Sequence, residues 1–323
     1  MSTYEKTILI TGANAGIGKD VARQLAGRPD YGRIYLASRD MTKGHAALEE
    51  LRGLTGRDIF TVVPLDLRDL ESVQRLADQF TEPLNAVVLN AGGFGGPTPA
   101  TIAPTGVTEM FAQNVLGHVV LLETLLSRGA VTDVGVLTGS EAALGAPKIG
   151  IAKPTFGDHS VDEFTSVIDG SWFSDRKYKV SLAYGQTKYL GALWIASLAR
   201  LHPELRLLTM SPGGTANTEG ARDMGFLAKT FMNKVFYPVL APTFRFAHPL
   251  PVGAARLVKA VSDPTLTSGA FYASAEGKLV GKLVDQGEFE LSLRDPIIQD
   301  HASEAIHTFV PQKYRVGTRE GSA

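Results

Sequence analysis

The stretch TGANAGIG, residues 11–18, decides the fold of this 323-residue chain. It follows a short apolar run, residues 7–10, and leads into a segment whose apolar residues have helical spacing. A strand that enters a helix through a glycine-rich turn presents the unpaired N–H groups of the first helical turn, and the helix dipole adds partial positive charge there. The stretch therefore predicts a phosphate-binding site in the first βα unit.

Each glycine of the turn has a predicted role. Gly12 permits the tight turn, Gly16 lets a pyrophosphate approach the backbone, and Gly18 lets the helix pack close to the sheet. The spacing is Gly-x-x-x-Gly-x-Gly, and the run alone would also fit an ordinary tight βα turn. The strand before it and the helix after it favour dinucleotide binding. The predicted cofactor contacts in this turn also include Asn14, Ala15 and Ile17.

Outward from this turn, strand-like apolar runs alternate with segments of helical period, which is typical of βαβ units in a parallel sheet. We predict an α/β fold: one Rossmann-type domain over residues 1–323, with a doubly wound parallel sheet of about seven strands and helices on both faces. The predicted strands are 7–11, 33–37, 59–65, 84–89, 132–138, 205–210 and 269–273. The predicted helices are 17–27, 41–54, 69–80, 105–128, 181–201 and 250–262.

Two segments, 144–180 and 213–249, break this alternation and are predicted to be insertions that form a substrate lid. The alternative is a loop packed over the core or an oligomer contact. The second insertion contains an apolar helical stripe at 225–240 with Lys229 and Lys234 on its polar side. Such a stripe is also compatible with contact with a membrane surface.

The end of the second strand bears on which dinucleotide binds. The chain reads YLASRD at 35–40, so Ser38 and Arg39 stand where a carboxylate would bind a ribose 2′-hydroxyl. Arginine pairs with a 2′-phosphate, which favours NADP(H) over NAD(H). Asp40 is the counter-argument, with helix capping as its alternative role.

Two further stretches carry groups for catalysis. In AYGQTKYLG, residues 183–191, Tyr184 and Lys188 lie four apart and so share one helix face. A lysine beside a phenol lowers the phenol pKa, which suits proton exchange with a substrate oxygen. Ser140 ends a predicted strand, where parallel sheets bind ligands. Each of these residues alone would also fit an ordinary surface or capping role.

Composition excludes several classes of function. The formal net charge is −1 without a basic face, which argues against a nucleic-acid partner. The chain has no cysteine, and its seven histidines have no metal-ligand spacing, so we predict no disulfide and no metal. No apolar stretch reaches the roughly 20 residues of a membrane-spanning helix. The start of the chain has no signal-peptide pattern, so we expect a cytoplasmic protein.

Taken in order, these motifs resemble the short-chain dehydrogenase/reductase family over about residues 7–215. The resemblance implies a catalytic tetrad of Asn114, Ser140, Tyr184 and Lys188, with Tyr184 and Lys188 also contacting the cofactor. It implies further cofactor contacts along the edge of the sheet. These contacts are Asp66, Leu67, Asn90, Ala91, Gly92, Pro212, Gly213 and Thr215, with Thr218 as an alternative to Thr215.

Within that family the chain looks most like the NADP(H)-using branch of retinol dehydrogenases and protochlorophyllide reductases. The implied function is hydride transfer between NADP(H) and the carbonyl or alcohol of an apolar, fairly bulky small molecule, with Tyr184 as the acid or base. Reduction of an enone C=C bond and a non-catalytic dinucleotide sensor are the alternatives. The gap of 44 residues between Ser140 and Tyr184 departs from the family pattern, where about a dozen is usual. The resemblance also suggests a homodimer formed through helices 105–128 and 181–201.

Overall fold

Eight strands form one sheet in this computed structural model, which describes residues 5–147, 151–215 and 247–315. The strand order is β3-β2-β1-β4-β5-β6-β7-β8, and every neighbouring pair is parallel except β7 with β8. The strands are β1 Lys6–Thr11, β2 Tyr31–Ser38, β3 Phe60–Pro64, β4 Leu84–Leu89, β5 Val131–Thr138, β6 Arg206–Met210, β7 Phe271–Ser274 and β8 Leu283–Asp285.

The predicted α/β fold with a doubly wound sheet is confirmed. All seven predicted strands are present, and the described sheet has an eighth, β8, which the sequence did not predict. A strand of three residues is too short to show a period of two, and β8 pairs antiparallel at the sheet edge. The chain order reverses between β1 and β4, which opens a crevice at their carboxyl ends.

Helices cover both faces of this sheet. In the described residues they are α1 Gly16–Ala26, α2 Met41–Thr55, α3 Leu70–Gln79, α4 Glu109–Phe111, α5 Gly117–Ser127, α6 Val161–Asp169, α7 Val180–Leu201, α8 Leu250–Ser262 and α9 Pro296–Thr308. A π-helical turn, Ala112–Leu116, joins α4 to α5. The six predicted helices are found, with the one predicted over 105–128 divided by this turn.

The core lies in two layers, one on each face of the sheet. Along β1, Leu9 belongs to one apolar cluster, whereas Ile8 and Ile10 belong to the other, and all three are fully buried. The first layer packs against α3, α5, α7 and α9, and the second packs against α1, α2 and α8. Burial on both faces explains why the strands read as continuous apolar runs.

One helix lies within the first predicted insertion. Its boundaries follow local rules, because the Ser160 hydroxyl accepts from the N–H of Glu163 at 3.1 Å and Gly170 ends α6 in the left-handed region. The carboxylate of Glu163 in turn accepts three backbone N–H groups of the preceding turn. The pattern Ser-x-x-Glu was the signal for this helix. The insertion 213–249 lies mostly outside the described residues.

The last helix, α9, covers the outer side of α7. The Ser197 hydroxyl of α7 donates to Asp300 at 2.6 Å, and Tyr189 donates to Ser292 at 2.7 Å. As a result, nearly every residue of α7 from 185 to 199 is buried. The chain's own C-terminal segment thus covers one side of α7, one of the two helices suggested for a dimer contact, and the homodimer stays a prediction.

Within the described ranges, one helical stretch, Glu109–Ser127, is long and apolar enough to cross a membrane. Its most apolar part is 83% buried within the fold, as is typical of a core helix.

Candidate active site

The glycine turn between β1 and α1 leaves donor groups available for an anion. Gly12 and Gly16 have φ values of +66° and +54°, in the left-handed region that favours glycine. The helix α1 begins with no side-chain cap from Ala15 and no acidic residue in its first turn. Its first N–H groups therefore have no competing side-chain acceptor, and this donor set fits a pyrophosphate.

Two glycines of this turn face different surroundings. A Cβ atom on Gly18 would lie 2.6 Å from the carbonyl oxygen of Gly12 and from Nδ2 of Asn90, whereas a Cβ on Gly16 would meet no atom of the protein within 4 Å. Gly18 thus permits close packing of helix and sheet, and Gly16 borders open space. Asn14, Ala15 and Ile17 complete the turn and the start of α1.

At the end of β2, the carboxylate of Asp40 is hydrogen-bonded to the next helix, and the guanidinium of Arg39 is exposed. Asp40 caps α2 by accepting from the N–H of Lys43 at 3.1 Å, and the buried Ser38 hydroxyl donates to the Asp40 carbonyl at 2.9 Å. Arg39 is exposed, and among the described residues no hydrogen bond or ion pair involves its side chain. The capping role proposed for Asp40 is therefore present, and Arg39 offers the cationic group.

The next strand end places Asp66 and Leu67 differently. Burial raises the pKa of Asp66, but hydrogen bonds from Arg68 outweigh it and hold the pKa below its usual range. The Leu67 side chain is buried in the core, and a Cβ on Gly117 would come within 2.2 Å of the Leu67 carbonyl oxygen. Only Asp66 of this pair presents a polar side chain at the edge.

The turn after β4 is tied to the end of β1. The N–H groups of Asn90 and Ala91 both donate to the Thr11 hydroxyl oxygen, at 2.8 and 2.9 Å, and Nδ2 of Asn90 donates to the Thr11 carbonyl at 3.0 Å. Gly92 follows with a φ of +155°. A Cβ there would lie 2.4 Å from Oδ1 of Asn114 and 3.6 Å from Nζ of Lys188. Gly92 thus lies between two of the predicted tetrad residues.

Asn114 lies in the π-helical turn and is fully buried. Its side chain accepts from the N–H of Gly93 at 3.1 Å and donates to the Gly93 carbonyl at 2.8 Å. Its own carbonyl oxygen lies 3.2 Å from Nδ1 of His118. The side-chain amide therefore holds the turn beside the cleft, rather than pointing into it.

The protonation of His118 follows from its partners. Because the Asn114 carbonyl can only accept, Nδ1 of His118 carries the ring hydrogen and donates to it, and Nε2 accepts from the Thr11 hydroxyl at 3.0 Å. Burial lowers the pKa of His118 to about 3, and the ring is neutral. This chain of hydrogen bonds connects β1, β4 and the π-helical turn.

The structure brings Ser140, Tyr184 and Lys188 together at the carboxyl end of β5. Nζ of Lys188 donates to the Thr138 carbonyl at 2.9 Å and lies 5.6 Å from the centre of the Tyr184 ring. Ser140 is partly exposed, and its oxygen accepts from the N–H of Ala142 at 3.2 Å, which leaves its hydroxyl proton to donate. Three of the four residues of the predicted tetrad thus lie close together at this edge of the sheet.

The pKa values differ from the simple expectation of a lysine that lowers a phenol pKa. Burial of its hydroxyl raises the pKa of Tyr184 to about 12, although a hydrogen bond from Ser140 favours the phenolate and the ring keeps some exposed surface. Burial also lowers the pKa of Lys188 to about 8, which reduces the positive charge near the phenol. Tyr184 is therefore protonated at neutral pH in the protein alone.

The segment after β6 closes this edge of the site. Gly213 has a φ of +78°, and the Thr215 hydroxyl contacts the carbonyl oxygens of Pro212 and Gly213 at 3.2 and 3.0 Å. The hydroxyl of Thr215 thus stabilises its own turn. The alternative residue, Thr218, lies outside the described residues.

Aromatic residues of the first insertion divide into two groups. Trp172 and Phe173 pack in a cluster that includes Tyr178 and Tyr184. Phe156 instead stacks on Tyr189 and packs on the side of the C-terminal segment. Of these two groups, the first borders Tyr184. Phe226 and Phe231, two aromatic residues of the apolar stripe in the second insertion, lie outside the described residues.

The sequence analysis did not predict several residues that lie at this site. Phe94 is 40% exposed, and its ring centre lies 4.6 Å from that of Tyr184. Glu141 and Arg256 are buried charges beside Ser140 and in α8. A charged residue within an apolar stretch was the available signal for both. Among the described residues, no group of three metal-binding side chains occurs.

Comparison with known proteins agrees with this fold. The sequence model of the short chain dehydrogenase family matches residues 6–143. Retinol dehydrogenase 13 of Homo sapiens is 31% identical over 249 residues, which cover 72% of this chain and 66% of that protein. Retinol dehydrogenase 12 of Mus musculus is 40% identical over 126 residues, 38% of this chain and 39% of that protein. Each match spans less than two thirds of the relative's length.

Solved structures show the same fold. Salutaridine reductase from Papaver somniferum superposes with a TM-score of 0.61 at 19% identity, covering 83% of this chain and 99% of that one. An alcohol dehydrogenase from Thermococcus sibiricus, complexed with 5-hydroxy-NADP, gives 0.54 at 20% identity, covering 82% and 94%.

A doubly wound sheet, a glycine turn at its first strand and a serine, tyrosine and lysine at its edge are an arrangement typical of dinucleotide-binding oxidoreductases. The chain belongs to the short-chain dehydrogenase/reductase family. Within it, the chain is similar to retinol dehydrogenases 11, 12 and 13.

Proposed function

We propose that this protein is an NADP(H)-dependent oxidoreductase that reduces the carbonyl of an apolar, fairly bulky small molecule, or oxidises the corresponding alcohol. The observation that carries the proposal is the meeting of Ser140, Tyr184 and Lys188 at the carboxyl end of β5, on the same edge of the sheet as the glycine turn.

The residues present fit a dinucleotide. The open N–H groups at the start of α1 suit the pyrophosphate, and the space above Gly16 admits it. The exposed Arg39 suits a 2′-phosphate, whereas the Asp40 carboxylate is engaged with α2. When bound, reduced nicotinamide supplies the hydride.

The side chains supply the proton and the orientation. Tyr184 is protonated at neutral pH, which is the state that donates to a carbonyl oxygen during reduction. The Ser140 hydroxyl bonds the Tyr184 hydroxyl in the protein alone, and we assign to both hydroxyls the same substrate oxygen. Lys188 is anchored on the Thr138 carbonyl, and we assign to it the nicotinamide ribose and the support of the phenolate formed after proton transfer.

An apolar substrate is supported by the surroundings of Tyr184. Phe94 lies against its ring on one side, and the cluster of Trp172 and Phe173 lies in the described part of the first insertion. We propose that this insertion forms a wall of the substrate pocket, and that the second insertion serves as its lid. The names of the relatives, retinol dehydrogenases, are consistent with a lipophilic alcohol or aldehyde.

The test is turnover of NADPH with a panel of ketones, aldehydes and enones, from small to polycyclic, followed at the absorbance of the reduced nicotinamide. Tyr184→Phe should lower kcat by about 10²- to 10⁴-fold, because it removes the proton donor and little volume. Tyr189→Phe is the matched control, since its hydroxyl bonds Ser292 away from the cleft. It should keep the wild-type kcat.

Full activity in Tyr184→Phe would contradict the proposed mechanism. Analysis of the products from enones separates reduction of C=O from reduction of C=C. Tight binding of NADPH without turnover of any panel member would instead support a non-catalytic dinucleotide sensor.

A further inference from the structure

A buried pair of charges lies directly behind Ser140. Glu141 and Arg256 are 8% and 7% exposed, and Oε1 of Glu141 lies 3.5 Å from a guanidinium nitrogen of Arg256. Buried charges are costly unless their remaining hydrogen-bonding groups are also satisfied. The partners of this pair therefore show what it holds in place.

The Glu141 carboxylate joins three segments. Its Oε1 accepts from the N–H and hydroxyl of Ser274 at 3.2 and 3.0 Å, at the end of β7. Its Oε2 accepts from the hydroxyl of Ser211 at 2.6 Å, at the end of β6. Glu141 itself begins the 3₁₀ turn Glu141–Ala143, which Ser140 caps. One side chain thus connects the carboxyl ends of β5, β6 and β7.

Through Ser211, the carboxylate also determines the shape of the next turn. Because the Ser211 hydroxyl gives its proton to Glu141, its oxygen is left to accept from the N–H of Gly213 at 3.0 Å. Gly213 lies tightly against the arginine, since a Cβ there would be 2.7 Å from a guanidinium nitrogen of Arg256. The carboxylate and guanidinium therefore hold the 211–213 segment from two sides.

Arg256 completes the connection to α8 and the segment before β8. Its guanidinium donates to the Ser274 hydroxyl at 3.0 Å and to the Gly281 carbonyl at 2.8 Å. No atom of the pair is assigned to the cofactor or the substrate, so its effect on the site acts through Ser140 and the 211–213 segment.

We propose that Glu141 is a positioning residue, which fixes Ser140 and the 211–213 segment relative to each other for hydride transfer. The proposal rests on the proposed function, because it takes Ser140 as a donor to the substrate oxygen and Pro212 and Gly213 as contacts of the cofactor. Arg256 is the counter-charge that holds the Glu141 carboxylate in place.

The test is Glu141→Gln in the full chain, with Glu304→Gln, an exposed glutamate in α9, as the matched control. The glutamine keeps the volume but cannot accept from both Ser211 and Ser274 as the carboxylate does. We expect kcat to fall about 10- to 100-fold and the substrate KM to stay within about threefold, because a small misplacement of reacting groups acts on the chemical step. The control should match the wild type.

Two readouts separate positioning from simple destabilisation. In Glu141→Gln with Arg256→Met, no unpaired buried charge remains, so the melting temperature should recover from that of Glu141→Gln alone while kcat stays low. The pH profile of alcohol oxidation should also move to lower pH in Glu141→Gln. The reason is that the Glu141 charge raises the pKa of Tyr184, so removal of this charge lets the phenolate form at lower pH. The other groups beside the Tyr184 ring are Ser140, whose hydrogen bond lowers the pKa, and the ionisable Lys188.

Amide hydrogen exchange gives a measurement that needs no activity. The peptide containing Gly213 should exchange faster in Glu141→Gln than in wild type, because its N–H bonds Ser211. A folded Glu141→Gln with wild-type kcat, pH profile and exchange would overturn the proposal alone. A wild type that turns over no substrate would overturn the proposed function. In that case, unchanged amide hydrogen exchange of the Gly213 peptide in Glu141→Gln would reject the role of Glu141 in holding the 211–213 segment.

Discussion

Alanine at Gly16 tests whether the glycine turn binds the dinucleotide. A Cβ at this position meets no protein atom within 4 Å, so the protein itself does not resist it except through the φ of +54°. The left-handed conformation costs an L-residue about 1 kcal/mol. For a domain of this size, that lowers the melting temperature by about 2 °C.

The effect on binding should be much larger. The Cβ of Gly16→Ala would occupy the open space beside the first N–H groups of α1, where we place the pyrophosphate. Loss of one charge-assisted hydrogen bond, worth about 1.5–3 kcal/mol, weakens binding by about 10- to 100-fold. The assay is the Kd for NADPH, measured by fluorescence of the reduced nicotinamide, alongside thermal unfolding.

Gly129 serves as the matched control, and Gly18 provides a contrast in stability. Gly129 has a φ of +65° and open space around its Cβ position, but it precedes β5 at the opposite end of the sheet. Gly129→Ala should show the same loss of stability and an unchanged Kd. Gly18→Ala should lower stability further, by about 1–3 kcal/mol, because its Cβ would lie 2.6 Å from protein atoms. Equal Kd values for Gly16→Ala and Gly129→Ala would refute the placement of the pyrophosphate.

Three further predictions each concern a single side chain. Arg39→Ala should raise the Kd for NADPH about 10-fold or more and leave that for NADH within twofold, and a parallel loss for both would reject its phosphate role. Phe94→Ala should raise the KM of bulky apolar substrates about 3- to 10-fold, since its ring lies against Tyr184, and small substrates measured in parallel should be unaffected. Burial lowers the pKa of His307, but its bond to Glu123 at 2.9 Å outweighs burial, and the net pKa is raised. The charged His307–Glu123 pair therefore stabilises the fold fully below about pH 6.5, and this stabilisation is lost as pH rises through the folded-state pKa of His307. His307→Gln should therefore lower the melting temperature at pH 5.5 more than at pH 9, and an equal effect at both would contradict the charged pair.

Much of the fold was predictable because its signals are local. The predicted strands contribute to the apolar clusters on both faces of the sheet, so most of them appear as apolar runs without reference to their partners. The helix α6 was also marked locally, by Ser160 and Glu163, but its pattern lay among prolines and glycines that suggested a loop. The strand β8 had no such signal, because three residues form a strand only when β7 supplies the partner.

The candidate site was predictable where a residue type has one suitable position at a strand end. Ser140 is of this kind, whereas Tyr184 and Lys188 were marked by their spacing of four on one helix face, and the structure brings the three together. Their roles stay predictions. The pKa of Tyr184 could not be predicted, because it depends on how much water the surrounding fold excludes from the hydroxyl.

The sequence by itself determined the alternation of strands and helices, the glycine turn at 11–18 and the residue types at the strand ends, because these depend on neighbours in the chain. Only the tertiary structure decided which distant residues share a site. The contact of Glu141 with Ser211 and Arg256, and the cover of α7 by α9, join residues about 70 to 115 positions apart. Burial, counter-charges and pKa values arise from such contacts, since they depend on what surrounds a group in space and not on what precedes it in the chain.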